Sequence, residues 1–382
     1  MTGALAGIVV ADFSRVLAGP YATMLLADLG AEVIKVERPG AGDDTRAWGP
    51  PFAADGQSTY FQSVNRNKRS IALDLGDAAD RELARSIAQR ADVLVENHRP
   101  GALSRFGLDY EQVRAINPAV IYCSISGFGS GQGSDLPGYD LLVQAMGGLM
   151  SITGTTEPTK AGVAVVDVLT GLHATVAILA ALHHRDVTGE GQRVEATLLT
   201  ALQSSLVNQA SSVVGAGRVP GFMGNAHPSI APYEVFATAD RPMILAVGND
   251  GQFAKLMHVL GDPDAAGDER FATNAARVGN REALKALIEE RLSTDGADAW
   301  QERITAAGVP CGPINDIAQG FALAERLGLT PVVDIDDPRR ASPQPQVANP
   351  VSYSLTPPTY RSAPPDVDED RAAVLALLAG RS

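Results

Sequence analysis

Two cysteines in 382 residues, Cys123 and Cys311, are too few for a disulfide framework or a four-cysteine metal site. Such sparing use fits a reducing, cytoplasmic compartment. Basic charge is also scarce: 31 Lys and Arg stand against 44 Asp and Glu, a formal net charge of −13. That balance excludes nucleic-acid binding by bulk charge and argues against anionic membrane surfaces, while leaving room for an anionic ligand held by a few local arginines. The N-terminus shows no basic region followed by an apolar core, so no signal peptide is expected. The most apolar stretch, Val163 to Leu182, is interrupted by Asp167 and His173 and reads as a buried core helix, not a membrane span. Several motifs are missing too. No phosphate-binding G-x-x-x-x-G-K-[ST] loop occurs, the first strand runs into SRVLAGP in place of G-x-G-x-x-G, and there is no G-x-S-x-G elbow or H-E-x-x-H. No metal site is expected.

The first half of the chain alternates short apolar runs with helical patterns. Strands are expected at Gly7 to Phe13, Glu32 to Val36, Ser70 to Leu75, Ala91 to Glu96 and Val120 to Ser126, with helices at Pro20 to Leu29 and Asp80 to Ala91. This alternation predicts an α/β fold with a mainly parallel sheet covered on both faces. Tyr139 to about Val214 reads as largely helical, broken at Asp186 to Gln192. A smaller α+β region begins near Pro232, with a hairpin at Glu234 to Ala237 and Met243 to Val247 and helices at Asp250 to Leu260, Arg281 to Leu292 and Ala297 to Ala307. A Pro-rich, strand-poor passage and a last helix, Glu369 to Ala379, follow. They are expected to pack back on the first domain.

Asp167 stands out among the polar residues. It falls between the apolar run Gly162 to Val166 and a long apolar helix, where an Asp is a natural N-cap. The same place suits a reactive carboxylate, because a helix N-terminus favours negative charge and offers N–H groups to an oxyanion. Arg38, the run Asn97-His98-Arg99 and Arg105 follow predicted strands at their carboxyl ends, where open α/β sheets bind ligands. Arginines gathered there suggest a phosphate-bearing ligand. Val247 to Phe253 is a glycine-bearing turn, either a plain loop with Asp250 as N-cap or a mobile cover over a site.

Several segments in one order carry a family resemblance: DFSRVLAGPYATMLLADLGAEVIKVERPGAGDDTR (Asp12 to Arg46), NRNKRSIALDL (Asn65 to Leu75), ENHRPGALSRFGLDYE (Glu96 to Glu111), VVDVLTGLHA (Val165 to Ala174), TGEGQRVE (Thr188 to Glu195), GNAHPSIAPYEVFATAD (Gly224 to Asp240), VGNDGQF and GVPCGPIND (Gly308 to Asp316). Nearly end to end, the chain resembles the class III CoA-transferases of the CaiB/BaiF type. The resemblance implies a large Rossmann-like domain built from both chain ends (residues 1–215 and a returning segment, 330–382), a smaller α+β domain (residues 225–325), and an interlocked homodimer. It implies that Asp167 attacks an acyl-CoA thioester, forming an anhydride and then an aspartyl-CoA thioester, with CoA as part of the substrate and no tightly bound cofactor. It places Arg38 and Arg105 at the nucleotide end of CoA. Leu17, Ala18, Leu73, Asp74, Leu75, Gly76, Asn97, His98 and Arg99 would line the CoA channel, Tyr139 would stand beside the thioester, and Gly248, Asn249, Asp250 and Gly251 would form a glycine loop closing over Asp167.

The chain departs from the family pattern at Leu17, where the formyl-transferring members carry glutamine, and at GNDG, where they carry consecutive glycines. The related racemases place a histidine where this chain has Tyr139, and a phenol is a poor base at neutral pH. The alternatives weighed against a CoA-transferase are an α-methylacyl-CoA racemase using Asp167 and Asp250 as bases, and an acyl-CoA-binding protein without turnover.

Overall fold

The computed structural model describes residues 3–380. The chain forms two compact units. The first takes the residues up to Met150, Lys160–Pro220 and the chain from Thr330 onward; the second takes Ser151–Thr159 and Gly221–Leu329.

The first unit is built on six strands: β1 (Val9–Asp12), β2 (Glu32–Glu37), β3 (Lys68–Ala72), β4 (Val93–Glu96), β5 (Ile121–Ser126) and β6 (Gln192–Thr197). Their order across the sheet is β3-β2-β1-β4-β5-β6, and every neighbouring pair is parallel. The order in which strands are added reverses between β1 and β4, the switch point at which doubly wound sheets open a ligand crevice. Alternate strand residues feed two cores. Val10, Val33, Val93, Val95, Ile121 and Cys123 pack with helices Ala18–Asp28 and Val165–Thr188. Val9, Ala11, Ile34, Ile71, Leu94 and Tyr122 pack on the other face with helices Ala78–Arg90 and Arg371–Ala379. Both faces are therefore covered, as a parallel sheet requires.

β6 differs from the sequence reading, which ran helix through this stretch. Its pattern, Gln-Arg-Val-Glu-Ala-Thr, is polar because it is an edge strand with one side in solvent, so no buried apolar run announces it. The opposite edge, β3, is closed by the chain's own tail: Asp370 and Asp368 accept the Ser70 and Ala72 N–H groups at 2.9 and 2.8 Å. The tail also adds a two-stranded ribbon, β10 (Val332–Ile335) with β11 (Gln344–Val347), that its Pro-rich sequence did not suggest.

Helix Val165–Thr188 is long and apolar enough by length and composition to cross a membrane, with a mean hydropathy of 2.0 in its most apolar window, of which 44% is buried. One face, Val166, Thr170, Ala174, Ile178 and Ala181, lies in the core. The other keeps Leu172 and Val176 exposed, so the helix is half-buried and not the fully buried one its sequence suggests.

The second unit carries an antiparallel sheet of β7 (Tyr233–Phe236), β8 (Met243–Ala246) and β9 (Cys311–Pro313). Phe236, Phe253, Phe271, Ile288 and Trp300 form its core beside the sheet.

Candidate active site

At the carboxyl ends of β1, β4 and β5 the first unit opens a cavity of about 590 Å³. The turn after β1 contributes Leu17 and Ala18, the turn after β4 contributes Asn97, His98 and Arg99, and the glycine-bearing loop after β5 leads to Tyr139. Asp167 also lines it. Two glycine contacts shape this wall. A Cβ on Gly171 would lie 2.7 Å from the Ala18 carbonyl, so the absence of one lets helix Val165–Thr188 approach the start of helix Ala18–Asp28 beside Asp167. A Cβ on Gly127 would lie 2.5 Å from Gly138 Cα, so this pair draws the loop closed just before Tyr139.

Asp167 is not the helix cap. It is the third residue of helix Val165–Thr188, and the cap position is Ala164, which has no side chain able to accept. The missing acceptor is supplied from outside by Asp140, whose Oδ1 takes the Val166 N–H at 2.8 Å and the Asp167 N–H at 3.3 Å. The Asp140 Oδ2 in turn accepts from Gln144 Nε2 at 2.6 Å, and Gln144 Oε1 accepts the Ala161 N–H at 2.8 Å. Among the described residues, the Asp167 carboxylate has no hydrogen-bond or ion-pair partner. Burial, and then the neighbouring Asp140 charge, push it up to about 7. Tyr60 lies in the same field: burial and then Asp167 and Asp140 push its phenol up to about 12. Its ring meets Trp48, another residue of the cavity wall, edge-on at 5.1 Å. Asp140, Gln144, Tyr60 and Trp48 were not singled out from sequence. Asp140 sits next to Tyr139 in the chain, but only the fold brings it to the start of the Asp167 helix.

A second cavity of about 440 Å³ holds Arg38, Leu73, Asp74, Leu75, Gly76 and Arg105, and shares Arg15 and His98 with the first. The two form one groove along the carboxyl edge of the sheet, with an apolar far end at Leu73, Leu75 and Phe106. The Arg105 guanidinium stacks on Phe106 at 4.5 Å and has no anionic partner among the described residues. Arg38 is committed to an ion pair with Asp44, which also binds Arg15 at 2.8 Å. His98 Nε2 lies 3.1 Å from the Phe13 carbonyl, and burial lowers its pKa. The Asn97 side chain is spent on the backbone of Arg15, accepting its N–H at 2.9 Å and donating to its carbonyl at 2.7 Å. It shapes the wall and has little left for a ligand.

Gly248, Asn249, Asp250 and Gly251 belong to the second unit. They begin helix Asp250–Val259, with Asn249 and not Asp250 as its cap, accepting the Gln252 N–H at 2.9 Å. Gln252 Oε1 accepts the Gly248 N–H at 2.8 Å, and Asp250 is held at 2.6 Å by Arg277, a fully buried guanidinium. Within the second unit these bonds make the segment a hydrogen-bonded helix start.

A doubly wound sheet carries a groove at its switch point, with apolar and mixed-charge residues at one end and an uncommitted carboxylate at the other, the arrangement of an α/β enzyme with an extended substrate groove. The chain belongs to CoA-transferase family III, whose model matches residues 5–371. It is 46% identical over 98% of its length to a succinate–glutarate CoA-transferase of Agrobacterium fabrum, covering 95% of that protein. It is 43% identical over 87% of its length to the human succinyl-CoA:glutarate CoA-transferase, covering 77% of it. A solved CaiB/BaiF family protein from Brucella suis superposes with a TM-score of 0.88 at 44% identity, covering 99% of this chain and 100% of that one. The chain is an enzyme of the CoA-transferase type.

Proposed function

We propose that the chain moves CoA from a dicarboxylic acyl-CoA to a second free dicarboxylic acid, with Asp167 as covalent carrier. The observation that carries this reading is the Asp167 carboxylate, left without a partner in the cavity because Asp140 performs its capping role. In this reading an Asp167 oxygen attacks the thioester carbonyl, the C–S bond breaks, and CoA leaves as thiolate. The thiolate attacks the aspartyl carbonyl of the mixed anhydride, which releases the donor acid and leaves an aspartyl-CoA thioester. The acceptor carboxylate then attacks that thioester and expels the thiolate. Attack of the thiolate on the acceptor's acyl carbon completes the new thioester and restores Asp167. No proton is gained or lost overall, and one thioester replaces another, so the protein's task is to hold the reacting groups together and exclude water.

The second groove suits the nucleotide end of CoA, with Arg105 free to meet phosphate and Leu75 and Phe106 to flank adenine. The dicarboxylate class rests on relatives named for succinate, glutarate and mesaconate. Arg99, which lines the cavity of Asp167 and has no ion-pair partner among the described residues, suits an acid carrying a second negative group. An interlocked homodimer belongs to the same reading, supported by the exposed Val176, Val214 and Val219 of the first unit. Light scattering reads it directly as twice the 39.9 kDa chain mass.

The deciding experiment incubates the enzyme with succinyl-CoA and glutarate. Wild type forms glutaryl-CoA and an adduct at Asp167 that hydroxylamine or borohydride traps. Asp167→Ala does neither while still binding CoA. Transfer by a clean Asp167→Ala preparation refutes the assignment.

A further inference from the structure

The turn between β1 and helix Ala18–Asp28 is held at Ser14, Arg15 and Val16 by side chains, two of which, Lys35 and Asp43, are buried charges with no step of their own in the transfer reaction. Lys35 donates to the Ser14 carbonyl at 3.0 Å, and the Asn97 side chain grips both the N–H and the carbonyl of Arg15. Asp43 accepts the Val16 N–H at 3.2 Å. Lys35 and Asp43 pair with each other at 2.9 Å, their side chains 1% and 0% exposed. Asp43 is itself fixed by the N–H and the hydroxyl of Thr45, at 3.0 and 2.8 Å.

The residue at the centre of this grip, Val16, has a φ of 70°. A β-branched residue in the left-handed region is a true outlier, maintained only where the surroundings over-determine it. Leu17 and Ala18, which follow it, line the cavity of Asp167. Helix Ala18–Asp28 has no side-chain cap, and the amides of Leu17, Ala18 and Gly19 have no acceptor among the described residues. Asp43 thus fixes the conformation of a residue that immediately precedes two cavity-lining residues, Leu17 and Ala18, whose amides have no acceptor among the described residues.

We propose that Asp43, anchored by Lys35, is a positioning residue for the transfer reaction: it holds Val16 in the left-handed conformation and so keeps the Leu17 and Ala18 amides placed for the acyl oxygen that becomes negative at each attack. This rests on the reading of the Asp167 cavity as the reaction site. It adds that a buried ion pair on the wall of the neighbouring groove, away from the lining of the Asp167 cavity, sets the rate through the backbone.

The test uses the full chain with succinyl-CoA and glutarate. Asp43→Asn loses the charge that secures Val16 and Lys35. Its kcat falls by roughly 100–1,000-fold, the scale of a lost oxyanion donor, while its KM for succinyl-CoA stays within about threefold. Glycine adopts a positive φ without strain. Val16→Gly placed in the Asp43→Asn protein therefore restores most of kcat, although the ion pair stays broken and the melting temperature stays low. A merely structural role predicts the reverse, with activity following stability and no rescue, and that result overturns the proposal. If Asp43→Asn does not fold, Val16→Pro gives the second reading, because proline fixes φ near −65° and leaves Lys35–Asp43 intact. A Val16→Pro enzyme with wild-type kcat overturns the proposal as well. Transfer by Asp167→Ala would instead refute the covalent reading, and the Val16 series would still stand or fall on its own kcat values.

Discussion

Replacing Asp167 with asparagine should make the protein more stable as well as inactive, and the gain should depend on pH. In the folded chain, burial and the Asp140 charge raise this carboxyl from its ordinary 3.8 to about 7. At about 1.36 kcal/mol per unit of pKa, the difference amounts to roughly 4 kcal/mol against the ionised form. Local relaxation and water entry reduce the measurable part to about 2–4 kcal/mol. A folded-state value raised above the unfolded one gives stability that is complete below the unfolded value, near ~3.9. That stability is lost progressively as pH rises through about 7. Wild type therefore loses this stability between pH 4 and 8, and Asp167→Asn, which cannot ionise, does not. Urea unfolding of both proteins, followed by circular dichroism at pH 4.5 and 8.5 and at one fixed chain concentration, measures the effect. The advantage of the variant should grow by about 2–3 kcal/mol between the two pH values. An advantage that does not change with pH refutes the argument that a buried, uncompensated carboxylate occupies the cavity.

Three further outcomes are expected. Formation of the trapped Asp167 adduct should rise with pH through about 7 as the carboxylate ionises, and Asp140→Asn should move that rise to lower pH by removing the like charge; a rise left in place by Asp140→Asn contradicts the pairing. Arg105→Ala should raise KM for succinyl-CoA more than Arg38→Ala does, because Arg38 is already neutralised by Asp44 and Arg105 is not; equal effects of Arg105→Ala on the CoA ester and a truncated pantetheine ester would remove it from the nucleotide end. Wild type should introduce no deuterium at the α-carbon of a 2-methylacyl-CoA in heavy water, and Tyr139→Phe should keep part of its transfer activity; α-deuteration as fast as transfer would favour a racemase.

Much of the sheet was legible because β1, β4 and β5 are buried on both faces and mostly apolar, and β2 carries Val33, Ile34 and Val36 among its charges. β6 was not, since an edge strand needs only one dry side and its Arg193 and Glu195 face solvent. The position of Asp167 was legible for a local reason: an acidic residue opens a long apolar helix. Its cap assignment failed by three residues. Neighbouring Asp and Asn both satisfy the local rule at 249 and 250 as well, so sequence could not choose between them. The Lys35–Asp43 pair was out of reach. Nothing in EVIKVERPGAGDD marks one lysine and one aspartate as fully buried, because that depends on the β1 turn folding over them.

The separation of capping from chemistry is the step that joins fold to function. A helix beginning with Ala-Val-Val-Asp could cap itself only by unwinding until Asp167 reached the cap position, and its carboxylate would then be committed to the first-turn amides. Asp140 removes that need by accepting the Val166 and Asp167 N–H groups from a different helix. Burial, and then the second negative charge that this arrangement places beside the first, raise the Asp167 carboxyl and make it destabilise the folded chain when ionised. A carboxylate that is neither hydrogen-bonded nor paired is poorly stabilised, and attack on a thioester carbonyl relieves it of charge. In the proposed reaction the residue that lowers stability when ionised is therefore also the one that forms the anhydride. The cost is spread over a sheet covered on both faces and a tail that closes its β3 edge.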